Sequence, residues 1–316
     1  MPPLKLLGGV LVMAIWGVNF ATTDIGLKSF DPYLLASLRF VLAALPWAFV
    51  FKRPQVPWRY IVLYGLFFGV GQFGLLFAGM HLGFSAGLAS TVMQLQAFWT
   101  IGFAAAMLGE RIIPRQLLGV AVAAVGVALV AGVKDGSVTA IGTVLVVGAS
   151  ISWALANIVI KKAQPGDALA FTVWASLIPP VPLFLISLGM GGWHTVVQSF
   201  TGMTWGAVGS LAFMVYPSML FGFSLWGYLL RNYRTSRVAP LTLLVPIFGM
   251  ASSVLLLGER LGALKVAAIV LVLLGLGVNQ FDPLGRLQAR WARRKAIPIP
   301  DEVSDTGPAP SPVKGS

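Results

Sequence analysis

Cysteine is absent from all 316 residues. Disulfides, thiolate chemistry and cysteine-ligated metals are therefore excluded, and the compartment has to be read from other signals. Charge is scarce as well. Only 10% of residues are Asp, Glu, Lys or Arg and 57% are hydrophobic, where an ordinary soluble domain carries about 25% charged residues. A mean hydropathy of +0.86 does not build a water-soluble surface. The 10 acidic residues are outnumbered by 22 basic ones, for a net charge of +12. Such an excess would suit nucleic acid if the basic residues formed one face with interleaved aromatics, but they sit in short loops between apolar runs. The partner this composition implies is a lipid bilayer, with no nucleic acid. The two histidines, His81 and His194, fall in or near loops without metal-ligand spacing, so neither a metal nor a cofactor is expected.

What is present is a series of apolar runs, each approaching the ~20 residues that cross a bilayer. Broken at charge, Gly and Pro clusters, they predict ten spans at roughly 4–23, 32–51, 58–79, 85–108, 115–133, 139–160, 168–189, 204–230, 237–257 and 264–281. The first is read as a helix and not as a signal peptide, because it lacks a small-residue cleavage site and carries Trp16 and Asn19. With the N-terminus in the cytoplasm, Lys5, Lys52, Arg53, Arg59, Arg111, Arg115, Lys161, Lys162, Arg231, Arg234, Arg237 and the basic residues of the tail lie inside. Only Lys28, Lys134, Arg260 and Lys265 lie outside. Basic loops resist translocation and meet anionic lipid, so this asymmetry supports ten crossings with both termini cytoplasmic.

A shift of 149 residues superposes Leu108-Gly109-Glu110-Arg111 on Leu257-Gly258-Glu259-Arg260 and Gly126 on Gly275. A second alignment sets Ala36-Ser37-Leu38 on Ala175-Ser176-Leu177, with Trp16 and Asn19 near the counterparts Trp153 and Asn157. Each half then holds five helices, and an odd number per repeat inverts one half relative to the other, a plan that puts substrate sites near the midplane. The predicted fold class is an all-α polytopic membrane protein of ten transmembrane helices in two inverted five-helix repeats, residues 1–136 and 137–282, followed by a basic, then disordered, cytoplasmic tail over 283–316.

WGVNF at 16–20, LASLRF at 35–40 and the two LGER segments resemble the EamA type of the drug/metabolite transporter superfamily over about residues 4–281. Within it, QLQAFWTI at 94–101, SWALANI at 152–158 and RVAPLTLLVPIFGMAS at 237–252 are most similar to the O-acetylserine/cysteine exporters. The resemblance implies a ten-helix basket with cytoplasmic termini in a bacterial inner membrane, exporting amino acids or their metabolites. The tail beyond Asp282 is no part of that pattern.

Ionisable groups inside a bilayer are costly and default to functional hypotheses. Arg39 is the one charge well inside a predicted span. It either offers a bidentate fork to a substrate carboxylate or locks helices by bonding carbonyls and amides. No carboxylate is placed within a span: Asp24 and Asp31 flank the first external loop, and Glu110 and Glu259 are read as interfacial partners of the arginines beside them. Neutral amides are the other candidates for an amino acid's zwitterionic groups: Asn19, Asn157, Gln72, Gln94 and Gln96. Helical spacing groups Gln94 with Thr91 and Phe98 and turns Gln96 elsewhere, so one of the two glutamines is expected to reach the lumen.

Trp16, Phe20, Trp99, Trp153, Trp174 and Tyr216 are candidate cavity aromatics, against the alternative of packing or interfacial belts. Gly69-Val70-Gly71-Gln72-Phe73-Gly74 matches a dinucleotide fingerprint but lies in an apolar span without a preceding strand, and is read as helix packing. Pro217 and Pro246 are candidate hinges among several span prolines. A channel is disfavoured by the lack of a charged ring or carbonyl filter. A membrane enzyme is disfavoured because no nucleophile, base and metal set is recognisable. The expected activity is secondary export of a small amino-acid-like metabolite by alternating access.

Overall fold

The computed structural model describes residues 2–233 and 235–280; the basic and proline-rich tail falls outside the described residues. Helical segments run over α1 (Pro3–Leu27), α2 (Pro32–Ala48), α3 (Trp58–His81), α4 (Ala86–Leu108), α5 (Pro114–Ala131), α6 (Ala140–Ala163), α7 (Ala168–Thr201), α8 (Trp205–Asn232), α9 (Ala239–Leu257) and α10 (Ala263–Gln280). No strand occurs among the described residues. Nine of these helices are long and apolar enough to cross a membrane, whereas α2, at 17 residues, is a shorter apolar helix. It ends at Ala48 and not near residue 51, two residues beyond the helix-weakening Pro46.

Local chemistry sets the helix ends. Asp31 Oδ1 accepts from the backbone N–H groups of Tyr33 and Leu34 at the start of α2, and Asp167 does the same for Leu169 and Ala170 at α7. Ser85, Thr139 and Thr204 cap α4, α6 and α8 in the same way. Both LGER helices stop at a left-handed glycine, Gly109 at φ 71° and Gly258 at φ 69°, a conformation that a side chain at Cβ would penalise.

Several helices are irregular where sequence spacing alone predicts regularity. α3 is π-helical over Gly65–Gly74 and α8 over Met214–Phe221, and the starts of these segments are again 149 residues apart. α4 tightens to 3-10 geometry over Met93–Leu95, and α9 opens with the same geometry over Ala239–Leu243. α7 breaks after Ala175, resumes at Pro180 and kinks at Gly192 (φ 68°), so its helical path continues past residue 189 to Thr201 and takes in His194. The Gly-rich fingerprint is the π segment of α3, where Gly69 faces Pro179 and Gly71 faces Ser152.

Contacts between connections sort the two ends of the bundle. At one end Ser85 donates its N–H to Ser137 (3.0 Å), Thr139 donates to Leu82 (2.6 Å), Glu259 receives the N–H of Ala86 (3.0 Å) and Asp31 donates its N–H to Ser199 (3.3 Å). At the other end Glu110 pairs with Lys161, Trp174 Nε1 donates to the carbonyl of Phe51 (3.0 Å) and Lys5 lies over the Tyr228 ring (4.7 Å).

The acidic residues therefore do not all sit as expected. Asp24 belongs to the last turn of α1, where it meets Lys28 at 3.9 Å. Glu110 and Glu259 do not pair with the adjacent arginines, because the left-handed glycine turns each carboxylate toward another helix. Lys265, only 2% exposed, bonds Asp135 at 2.8 Å and the carbonyl of Arg260 at 3.2 Å. The charge pattern alone places that lysine on the external side without a partner.

Candidate functional site

A cavity of about 1010 Å³ lies between the helices. Its polar floor comes from three successive helices of the first half: Asn19 on α1, Arg39 on α2 and Gln72 in the π segment of α3. All three are buried, at 9%, 2% and 4% exposure. Gln72 and its neighbour Phe73, both in the π segment, line the lumen together. The Arg39 guanidinium lies over the Phe73 ring, 4.0 Å from carbon to centroid, where cation–π attraction partly offsets its desolvation.

Unmet hydrogen-bonding capacity is concentrated on this floor. Arg39 Nε and Nη1, Asn19 Oδ1 and Gln72 Oε1 are all buried without a partner. Each such group costs about 1–3 kcal/mol relative to its paired state. Two cationic donors and two amide acceptors in one cavity form a set that a ligand with an anionic and a cationic group would satisfy.

The opposite wall is already satisfied. Asn157 donates to Gln96 Oε1 at 2.7 Å and to Thr100 at 3.1 Å, and Gln94 donates to the carbonyl of Thr242 at 2.8 Å. Both Gln94 and Gln96 line the cavity, so the expectation that one of them faces away is corrected. The 3-10 turn at Met93–Leu95 rotates the helix between them and places both on the lumen side. Gln94, at 6% exposure, is nonetheless committed to the α9 backbone.

Aromatic residues close the remaining sides. Trp16 donates Nε1 to the carbonyl of Ser218 at 3.1 Å, in the π segment of α8, and packs against Phe223 and Trp226 at centroid distances of 5.2 and 5.6 Å. Phe20 and Trp153 also line the cavity. Tyr216 does not. It is 62% exposed, since the π geometry around Pro217 turns it outward, and its place among the candidates is withdrawn. Trp99 is partly exposed, and Trp174 is tied to Phe51 and Trp58 near the bundle end, so neither belongs to the lining. Pro217 lies within the π segment and Pro246 is buried in α9 beside the lining residue Val245.

The cavity reaches the surface at one end and is sealed at the other. Asp167, Arg231 and Asn232, all exposed, form its mouth. Beside the lumen α1 and α9 touch backbone to backbone: a Cβ on Gly17 would lie 2.7 Å from the nitrogen of Gly249 and 2.8 Å from the carbonyl of Val245, next to the lining residues Trp16 and Val245. Toward the other end the lining stops at Phe20, Leu76 and Ser90, and beyond it α1 is tied to α8 by bonds from Thr23 to Met214 and from Ser210 to the carbonyl of Thr22. Outside the spans, the Asp135 carboxyl is held at about 2 by its bond to the Lys265 ammonium and, secondarily, by Ser137. Among the described residues no group of three or more His, Cys, Asp or Glu side chains is placed to hold a metal ion.

Comparison with known proteins adds an independent line. The sequence profile of the EamA-like transporter family matches residues 4–132 and 140–279. The chain is 39% identical over 296 residues to a probable amino-acid metabolite efflux pump of Escherichia coli, covering 92% of this chain and 96% of that protein. It is 40% identical over 287 residues to a protein of the same description in Salmonella typhimurium, covering 89% and 96%. A solved crystal structure overlays it with a TM-score of 0.60 at 16% identity, over 93% of this chain and 98% of the other, which is a likeness of fold.

Proposed function

This chain belongs to the EamA-like transporter family, and from that premise we propose that it exports a small zwitterionic amino-acid metabolite, of the O-acetylserine or cysteine type, by alternating access. The observation that carries the substrate class is the buried Arg39 whose Nε and Nη1 lack partners, in a cavity shared with the unpartnered carbonyl oxygens of Asn19 and Gln72. A substrate carboxylate satisfies the guanidinium through charge-assisted bonds, and its ammonium satisfies the two amide oxygens. The aromatic walls accept the rest of the molecule. Gln94, Gln96, Trp153 and Asn157 shape the far wall, and Pro217 and Pro246 serve as hinges beside the lumen.

Carrier action accounts for the one-sided cavity better than a channel does, because a channel needs a path lined from face to face and the lining of this cavity stops at Phe20, Leu76 and Ser90. In the same reading α2 crosses the membrane at the short end of the workable range of roughly 17–25 residues. The ten crossings form two inverted repeats, 1–136 and 137–282, with both termini in the cytoplasm. The mouth then opens beside Lys161, Lys162 and Arg231, on the cytoplasmic side by the basic-residue asymmetry, which is the loading side for efflux.

Purified protein in liposomes, tested by counterflow against free amino acids and their acetylated derivatives, decides the matter. Counterflow of O-acetylserine or cysteine that saturates and is lost with decarboxylated or N-acylated analogues is the expected result. No counterflow with any amino acid or acetylated derivative from monodisperse protein would sink the reading. Orientation is tested separately, since the chain has no native thiol: a cysteine placed at Gln164 should react only from the cytoplasmic face.

A further inference from the structure

The two LGER segments are identical in sequence and alike in backbone, but their carboxylates hold different things. At the sealed end Glu259 Oε1 accepts the backbone N–H of Ala86, the first residue of α4, at 3.0 Å. Its Oε2 is buried and lies where a Cβ on Gly87 would come within 3.0 Å. The end of α9 is thereby tied to the start of α4 by a charge-assisted bond to a helix N-terminus. At the open end Glu110, 149 residues earlier, is exposed and pairs instead with Lys161 of α6. The same shift carries Ala86 onto Thr235, which begins the short helix Thr235–Val238 leading into α9. In register, then, the counterpart of the Glu259–Ala86 tie is a bond from Glu110 to the N–H of Thr235. The cavity is sealed where the tie is made and open where its counterpart carboxylate is turned to another partner.

We propose that Glu259 and Glu110 are alternating latches, one for each gate. Glu259 holds the outer end shut in the state seen here, and Glu110 is held aside by Lys161 until the cytoplasmic mouth closes. Glu110 then accepts the Thr235 N–H while Glu259 releases Ala86. Both act as positioning residues that set which side the cavity faces, without touching substrate. The inference rests on the inverted-repeat carrier reading above, in which the two halves exchange conformations between states. A single carboxylate-to-backbone bond is weak enough to be exchanged in each cycle, and breaking one shifts the balance of states without unfolding either.

A cysteine at Ser224, on the exposed part of the lumen wall, reports access to the cavity when a membrane-impermeant maleimide is applied to vesicles of either orientation. Glu259→Ala should raise labelling from the external face severalfold and lower it from the cytoplasmic face. Glu110→Ala should do the reverse and slow counterflow, with no loss of melting temperature, because its ion pair is exposed. Glu110→Gln, which keeps an acceptor oxygen, should recover part of the rate. Lys161→Ala breaks the ion pair and frees the latch, and should shift labelling toward the external face, opposite to Glu110→Ala. Labelling is measured without substrate, so failure to find a transported solute does not touch it. Unchanged labelling in both glutamate variants, a shift in the same direction for both, or a Lys161→Ala shift in the same direction as that of Glu110→Ala would overturn the latch while leaving the transport reading intact.

Discussion

Asn19 and Asn157 occupy corresponding places in the two halves, yet their surroundings differ. Asn157 gives its amide to Gln96 and Thr100, whereas Asn19 Oδ1 is buried without a partner in the company of Arg39 and Gln72. A duplicated sequence has thus produced one wall whose polar groups satisfy each other and one whose polar groups wait for something else. Unsatisfied buried groups are costly, and in the proposed function a ligand repays that cost on the wall that keeps them. On that proposal the asymmetry assigns binding to one asparagine and helix packing to the other.

The strongest way to break the comparison is at Arg39. Arg39→Gln should leave detergent-purified protein monodisperse with little change in melting temperature. It should raise the half-saturation concentration for a carboxylated substrate tenfold or more, about 1.4 kcal/mol or above. Arg39→Lys, which keeps charge without the planar fork, should fall between the two. An early melting transition with unchanged affinity would move Arg39 to the scaffold.

The two asparagines should fail in opposite ways. Asn157→Leu removes the donor to Gln96 and is expected to lower stability by about 1–2 kcal/mol while affinity stays within a few-fold. Asn19→Leu should weaken affinity severalfold with little loss of stability. Thermal shift and counterflow on the same preparations distinguish these outcomes, and matching behaviour of the two variants would erase the distinction between the walls.

A smaller effect is expected at the sealed end. The Asp135 carboxyl is depressed in the folded chain, so its contribution is present above the unfolded value near ~3.9 and is lost as pH falls through the folded value of about 2. Asp135→Asn should therefore lower the melting temperature at neutral pH, because the buried Lys265 ammonium loses its counter-charge, and the difference from parent should shrink as pH drops across that window. A difference independent of pH would place the effect in packing. The least effect belongs to Tyr216→Phe, which should change neither transport nor stability, since Tyr216 faces away from the cavity.

Much of this was legible from residue order. The apolar runs and the paired LGER segments marked the helices and the duplication, because hydropathy and helix-ending glycines act locally. Arg39, Asn19, Gln72, Gln94, Gln96, Trp16, Trp153 and Asn157 are candidate substrate-binding residues by residue type and position in the spans, and one cavity brings all eight together. Regular α spacing turns Gln96 away from Gln94, whereas the 3-10 segment beside them shifts the phase of the helix and both line the lumen. Tyr216, a candidate by residue type, lies in a π segment and is exposed. The pairing of Lys265 with Asp135 is not legible in the sequence, because the two are distant along the chain and only tertiary packing brings them to 2.8 Å.

The chain by itself determined that it lives in a membrane, that it is built twice from related halves, and which polar residues are held in apolar surroundings, since each follows from composition and spacing along one strand of sequence. Only the tertiary structure decided which of those polar groups are satisfied and which are not, and which end of the cavity is open. Hydrogen-bond partners in a helical bundle come from other helices: Glu259 receives the N–H of Ala86 and Glu110 pairs with Lys161, a difference that no local pattern encodes.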